Sequence, residues 1–384
     1  MNRCSCWQIT LLCAVLAPVG NEVEAAPPVP ELVATSTVFR YPKDDPYDRS
    51  NLYGFNHAPS VVRLADGRLL AAWFSGPFEA SVHQVILGAY SSDDGKTWSE
   101  AEVLHDAPRR SDVDAAFIAE GERTWVVFTR GRWDRYPFVG LRDVEREEVG
   151  AASYKLYAQA TDDSGGTWTD TAQIIDEVSW GCRSNGIKLA TGELLLPAYH
   201  FTTQAAAIVR SDDGGKTWQR HGNVIPEGKV GANEPTVAQL PDGELLMVVR
   251  SRDGLLWESR SRDRGTTWSA PVKTELVAAA ASHNLFCAST GDLLLTHNAC
   301  RPPKRTPLTI RASKDGGKSW GEPLILAEIK HPAPDEEVFS RSVCYPSVTE
   351  SGDGSLLVVW TSIEISVTKQ SGVIQAARVR LPNK

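Results

Sequence analysis

Six side chains able to handle protons or anions fall eight to ten residues ahead of a glycine turn: His57, Asp112, Arg183, Glu234, His283 and Tyr345. A carboxylic acid whose pKa is raised by burial can protonate a leaving oxygen. A guanidinium offers paired donors that match a carboxylate. Taken alone, each residue has a structural explanation: a core histidine, an ion-pairing arginine, a packing aromatic. The shared register argues instead for one site on which all six converge.

The elements that must position these residues are repeats. The pattern S/T-x-D-x-G-x-S/T-W occurs five times, at Ser91 to Trp98, Thr161 to Trp168, Ser211 to Trp218, Ser261 to Trp268 and Ser313 to Trp320. The copies start 70, 50, 50 and 52 residues apart, a period that suits a four-stranded unit. A second, independent signal is a turn ending in glycine followed by an apolar run, the mark of a hairpin entering a strand. It appears at Gly67, Gly192, Gly243, Gly291 and Gly354, with a weaker copy at Gly121-Glu122. Six hairpins predict an all-β, six-bladed β-propeller of four-stranded antiparallel blades. Four strands alone cannot bury both faces, whereas six sheets arranged radially cover one another. In the repeated octapeptide, Asp and Ser/Thr suit hydrogen bonding to loop backbone, Gly a positive φ, and Trp packing beneath the turn. The motif is therefore read as a turn device. Residues Arg130 to Val149 lengthen the second repeat and are expected to form an inserted loop.

Composition bounds the rest. The 384 residues are 42% apolar and 23% charged, as in ordinary globular proteins. Arg3, the apolar run Ile9 to Val19 and the small residues before Ala26 predict a signal peptide over 1–25, leaving 26–384 as a single propeller domain, secreted or periplasmic. No later apolar run reaches the roughly 18–20 residues of a membrane helix, so no membrane span is expected. Of seven cysteines, Cys182, Cys287, Cys300 and Cys344 lie beyond the predicted signal. Their scatter does not suit a zinc site, and they read equally as disulfides or buried thiols. No metal or other cofactor is predicted. A net charge of −8 argues against nucleic acid as a partner, and an anionic substrate would need a local basic pocket.

The five octapeptides are Asp-boxes, and on this period they resemble the sialidase (neuraminidase) superfamily over nearly the whole chain after residue 25. Asn233-Glu234-Pro235-Thr236-Val237 resembles that family's glutamate strand and Cys344-Tyr345-Pro346-Ser347 its tyrosine strand. The resemblance implies that Tyr345 is a nucleophile and Glu234 its base, the tyrosine exception among glycosidases. It also implies that Arg250 and Arg305 bind a substrate carboxylate, with Arg301 as competitor for the latter. The family's first arginine motif, (F/Y)-R-I-P, is replaced by Phe55-Asn56-His57-Ala58-Pro59, which puts His57 at the arginine position. Phe39-Arg40-Tyr41-Pro42 matches that motif by letters but lies too far from the first hairpin. For the family's loop aspartate the resemblance offers Glu79 as general acid, with Asp112 and Asp114 as alternatives.

Three functions follow as expectations. The first is an exo-glycoside hydrolase that releases a terminal acidic sugar, sialic acid or a relative, from glycans. The second is a polysaccharide lyase in which His57 or His283 removes a proton next to a uronate carboxylate. The third is a glycan-binding propeller without catalysis.

Overall fold

The computed structural model describes residues 29–41, 53–132, 150–330, 338–366 and 370–381. The predicted signal peptide and most of the predicted inserted loop, residues 133–149, lie outside the described residues. Six small antiparallel sheets form a six-bladed propeller. The innermost strands are Phe55–Arg63, Ser111–Glu120, Trp180–Cys182 with Ile187–Lys188, Asn233–Gln239, Asn284–Cys287 and Val338–Glu350. Blade three alone has its inner strand broken in two, which makes its sheet formally five-stranded.

Burial follows the radius. The second strand of blade one, Leu69–Gly76, is buried at every residue because neighbouring blades cover both of its faces. Its fourth strand, Glu102–His105, has no buried residue. The core is a set of layers between blades, such as Val127, Leu194, Leu196 and Val209 joining blades two and three. In blade six the outer strand comes from the other end of the chain, as Glu31–Phe39 pairs antiparallel with Gln370–Arg380. That closure explains why six blades carry five Asp-boxes. The box occupies the turn between third and fourth strands, and blade six has no such turn because a distant segment supplies its fourth strand.

The boxes do the structural work expected of them. In the first, Asp93 accepts hydrogen bonds from the Thr97 amide (2.9 Å), the Thr97 hydroxyl (2.6 Å) and the Ser91 hydroxyl (2.9 Å), while Ser91 Oγ accepts from the Gly95 amide (2.9 Å). The box glycine also meets the preceding blade. At Gly215 (φ 80°) an added Cβ would lie 2.1 Å from the Trp125 ring of blade two, so only glycine fits both the backbone and the space.

Of the other sequence expectations, Phe39 packs on Trp73 at 5.2 Å between ring centroids and Arg40 is exposed, so this stretch belongs to ring closure and not to a site. Cys182, Cys287, Cys300 and Cys344 are free thiols. No helix among the described residues is long and apolar enough to cross a membrane.

Candidate active site

The inner strands of four blades carry the same irregularity. Pairing with the second strand slips between His57 and Ser60, Val113 and Ala116, Asn233 and Thr236, and Cys344 and Ser347. Each slip is a β-bulge that holds one residue at positive φ: Ala58 (56°), Asp114 (56°), Glu234 (47°) and Tyr345 (62°). Bulges re-aim side chains, and non-glycine residues at positive φ concentrate at functional sites. Three of these four residues line one cavity of about 640 Å³, together with His57, Glu79, Arg250, Arg252 and Arg305.

At its floor, Tyr345 Oη donates to Glu234 Oε1 at 2.8 Å and Arg250 Nη1 donates to Glu234 Oε2 at 2.5 Å. Arg250 Nη1 also lies 3.5 Å from Tyr345 Oη. Burial alone would raise the Glu234 pKa, but the Arg250 guanidinium overrides it and holds the carboxyl below its usual range. Burial and the Glu234 carboxylate push the Tyr345 phenol above its ordinary value, so the resting hydroxyl keeps its proton. Two guanidinium groups lie near the Tyr345 ring, Arg183 at 5.2 Å and Arg305 at 5.8 Å from its centroid. The arrangement is a neutral phenol with a base on its proton and cations around it, which suits nucleophilic attack by the phenol oxygen.

His57 packs 4.3 Å from the Tyr345 ring and edge-on to Phe74 at 5.5 Å. Burial, then Arg305 and Arg183, lower its pKa far enough that the ring is neutral. His57 therefore occupies the cavity wall without adding a positive charge. Glu79 sits on the loop after the second strand of blade one. Burial in the cavity wall raises its pKa, although the residue is exposed at the rim and water there limits the rise.

Three expected site residues lie elsewhere. Asp112 is buried and spent on structure: its carboxylate accepts from Arg130 Nε (2.8 Å) and the Ala107 amide (3.1 Å). Asp114, two residues on, takes the place expected of it in the cavity. Arg183 is 1% exposed and donates to Ser60 Oγ (3.2 Å) and to the Pro59 (3.0 Å) and Tyr345 (3.2 Å) carbonyls, clasping blades one and six beneath the tyrosine. His283 donates from Nε2 to the Val248 carbonyl at 3.0 Å, and burial lowers its pKa to about 4. Neither blade three nor blade five has a positive φ at these positions, so their side chains are not re-aimed into the cavity. Arg301 is exposed and leaves the cavity position to Arg305.

Sequence reasoning missed Asn233, Arg252, Tyr154, Tyr199, Phe201 and Gln204, which also line the cavity. Five of them stand on second or third strands or on loops, where counting from hairpin glycines gives no signal. Among the described residues no group of three or more His, Cys, Asp or Glu side chains could hold a metal.

Comparison with known proteins agrees with this fold. Residues 67–358 match the family described as BNR repeat-like domain. A sialidase of Micromonospora viridifaciens is 27% identical over 329 residues, covering 77% of this chain and 48% of that protein. A sialidase of Bacteroides fragilis is 24% identical over 315 residues, covering 70% and 55% respectively. The chain thus spans about half the length of the curated relatives it matches. Among solved structures, a mutant of the NanB sialidase of Streptococcus pneumoniae superposes with a TM-score of 0.69 at 15% identity, over 89% of this chain and 70% of that one. A protein of unknown function from Dyadobacter fermentans gives 0.72 at 17% identity, over 92% and 100%. With that family model matched across most of its length and sialidases among its relatives, the chain belongs to the BNR repeat-like family of the sialidase superfamily.

Proposed function

We propose that this protein is an exo-acting, retaining glycoside hydrolase that removes a terminal acidic sugar from glycans after export from the cytoplasm. The observation that carries the reading is the Tyr345–Glu234–Arg250 chain of contacts at the floor of a cavity that Arg252 and Arg305 also line. Glu234 takes the phenol proton as Tyr345 Oη attacks the anomeric carbon, and Arg250 stabilises the glutamate and the oxygen beside it. A neutral nucleophile suits a substrate that already carries a carboxylate, because no anion must approach another. Arg250 and Arg305, with Arg252 beside them, supply the positive charge for that carboxylate, since Arg250 meets Glu234 through Nη1 alone. A carboxyl of the cavity wall, Glu79 or Asp114, each with its pKa raised by burial, serves the leaving oxygen.

The test is hydrolysis of aryl glycosides of sialic and uronic acids by wild type and Tyr345→Phe. Acidic-sugar release is expected, with a loss of about 1000-fold or more in the variant. A fluorinated substrate analogue should label the peptide containing Tyr345, read by mass spectrometry. Turnover by Tyr345→Phe at the wild-type rate would sink the mechanism. The neutral His57 ring beside Tyr345 also suits proton abstraction next to a uronate carboxylate. An unsaturated product, seen by its ultraviolet absorbance, would identify that lyase chemistry instead.

A further inference from the structure

Blade two carries a second concave site that the glycosidase reading does not use. A cavity of about 210 Å³ is lined by Arg110, Arg130, Arg132 and Lys155, with Ser153 and Tyr157, and none of its lining residues is acidic. This concentration of basic side chains stands in a chain of net charge −8. Lys155 lies directly opposite Arg130 in the pairing of strands Arg123–Arg132 and Gly150–Thr161, and like charges so placed repel. Arg130 is fixed: its Nε donates to Asp112 at 2.8 Å, another of its nitrogens meets His105 Nε2, and its guanidinium lies 4.3 Å from the Tyr157 ring centroid. Asp112 offsets that one charge. Lys155 has no hydrogen bond or ion pair among the described residues, so no described carboxylate relieves its opposition to Arg130.

The basic pocket lies at the same end of blade two as the central cavity. Gly131 pairs with Ser111 and Arg130 with Asp112, two residues before the cavity-lining Asp114. Pairing slips between Arg130 and Arg132, a bulge that lets both arginines line the pocket. Side chains alternate along the next strand, so Ser153 and Lys155 line the pocket while Tyr154 between them lines the central cavity. At Gly131 an added Cβ would lie 2.0 Å from the Tyr154 ring, so that ring packs directly on the strand that carries the pocket arginines. The two sites are therefore neighbours across one layer of sheet.

We propose that this pocket is an accessory subsite for an oxyanion, a sulfate ester or a carboxylate, carried by the glycan on the leaving side of the scissile bond. Its role as a subsite rests on the glycosidase reading above; its affinity for an oxyanion does not. Both carboxyls available to the leaving oxygen, Glu79 and Asp114, stand on blades one and two, whereas Arg250, Arg252 and Arg305 stand on blades four and five. The released sugar thus points its carboxylate away from blade two, and the remaining glycan leaves the cavity on the side where the basic pocket lies. The pocket is smaller than the roughly 300 Å³ at which small-molecule sites begin, so it suits one charged substituent and not a whole sugar ring. Guanidinium groups offer such an oxyanion paired donors, and its charge relieves the repulsion between Lys155 and Arg130.

Three oligosaccharides ending in the same acidic sugar test the subsite: one sulfated on the leaving portion, one with a uronate there, and one neutral there. The wild type is expected to show a KM about 10-fold lower for a charged member than for the neutral one, and the member favoured identifies the anion. Lys155→Met should raise that KM by about 5- to 10-fold with kcat unchanged, and alter the neutral substrate by less than about 2-fold. The same variant should melt at a higher temperature, because one of two opposed cations is gone, a gain that a lysine kept for structure would not give. Equal KM values for all three substrates, or an equal loss on all three in Lys155→Met, overturn the subsite and leave the glycosidase reading in place. Saturation-transfer NMR with sulfated and uronate-bearing disaccharides that lack the terminal acidic sugar separates the two claims. If the wild type hydrolyses no acidic glycoside yet binds one of these disaccharides, with the signal lost in Lys155→Glu, the glycosidase reading falls and the oxyanion pocket stands. No hydrolysis and no Lys155-dependent signal from either disaccharide overturn both.

Discussion

Aspartates at the outer turns and the aspartate in the central cavity have the same side chain and opposite chemistry. At the rim, hydrogen bonds from the Thr97 side chain and backbone, with Ser91 and Lys96 assisting, hold Asp93 at about 2. The corresponding Asp163, Asp213 and Asp263 also fall to about 2. In the cavity, Asp114 has no donor among the described residues, and burial raises it to about 7. The repeated residue, the one a motif search finds, is fully satisfied and therefore inert. The unrepeated one faces the cavity with no side-chain or backbone donor on its carboxyl among the described residues.

The largest expected effect across this divide is kinetic. Glu234→Gln should lower kcat on an acidic glycoside by about 100- to 10,000-fold, whereas Asp213→Asn in a box should leave kcat unchanged, both read by steady-state assay. Equal losses from both would erase the distinction between rim and cavity. Next in size is Gly215→Ala, which forces a Cβ into the Trp125 ring at a positive φ and should cost about 1–3 kcal/mol in denaturant unfolding without altering kcat.

The two classes of aspartate should also give opposite pH signatures. The folded pKa of Asp114 is raised above the unfolded value near 4, so its ionisation costs stability as pH climbs from about 4 through 7. Asp114→Asn should accordingly stabilise the protein by on the order of 2 kcal/mol at pH 8 and by almost nothing at pH 4, as measured by chemical denaturation. Asp93 is the reverse case: its stabilising contribution is present above about pH 4 and disappears as pH falls to about 2. Asp93→Asn should lower the melting temperature by about 2 °C or less at pH 7 and leave it unchanged at pH 2, the smallest effect of the set.

Much of this division was legible in the sequence. The five boxes and six glycine turns specify the blades because each is a local backbone requirement written into residue type. Glu234 and Tyr345 were found because their strands keep a constant distance of nine residues from Gly243 and Gly354. The count points to Asp112 ahead of Asp114 because blade two closes its hairpin with Glu120 paired to Arg123 across a tight two-residue turn. Blade one closes its hairpin between Arg63 and Leu69, with five residues in the turn. Arg183 and His283 satisfied the count but lack the bulge, a feature of strand pairing that no residue type announces. Arg252 and Gln204 entered the cavity from other strands and loops, where only tertiary structure brings them near.

The strand that closes the ring has a consequence for how the molecule comes apart. Thr37 bonds to Gln375 across 338 residues of chain, a contact whose loop entropy makes it late to form. Within Glu31–Phe39 only Val38 is buried, so backbone pairing holds this segment with little packing behind it. When it lifts away, Gln370–Arg380 becomes an open sheet edge able to accept the same segment from a second molecule. A seam held by backbone pairing with little packing behind it is thus also a route to strand exchange, through segments that supply none of the residues lining the cavity.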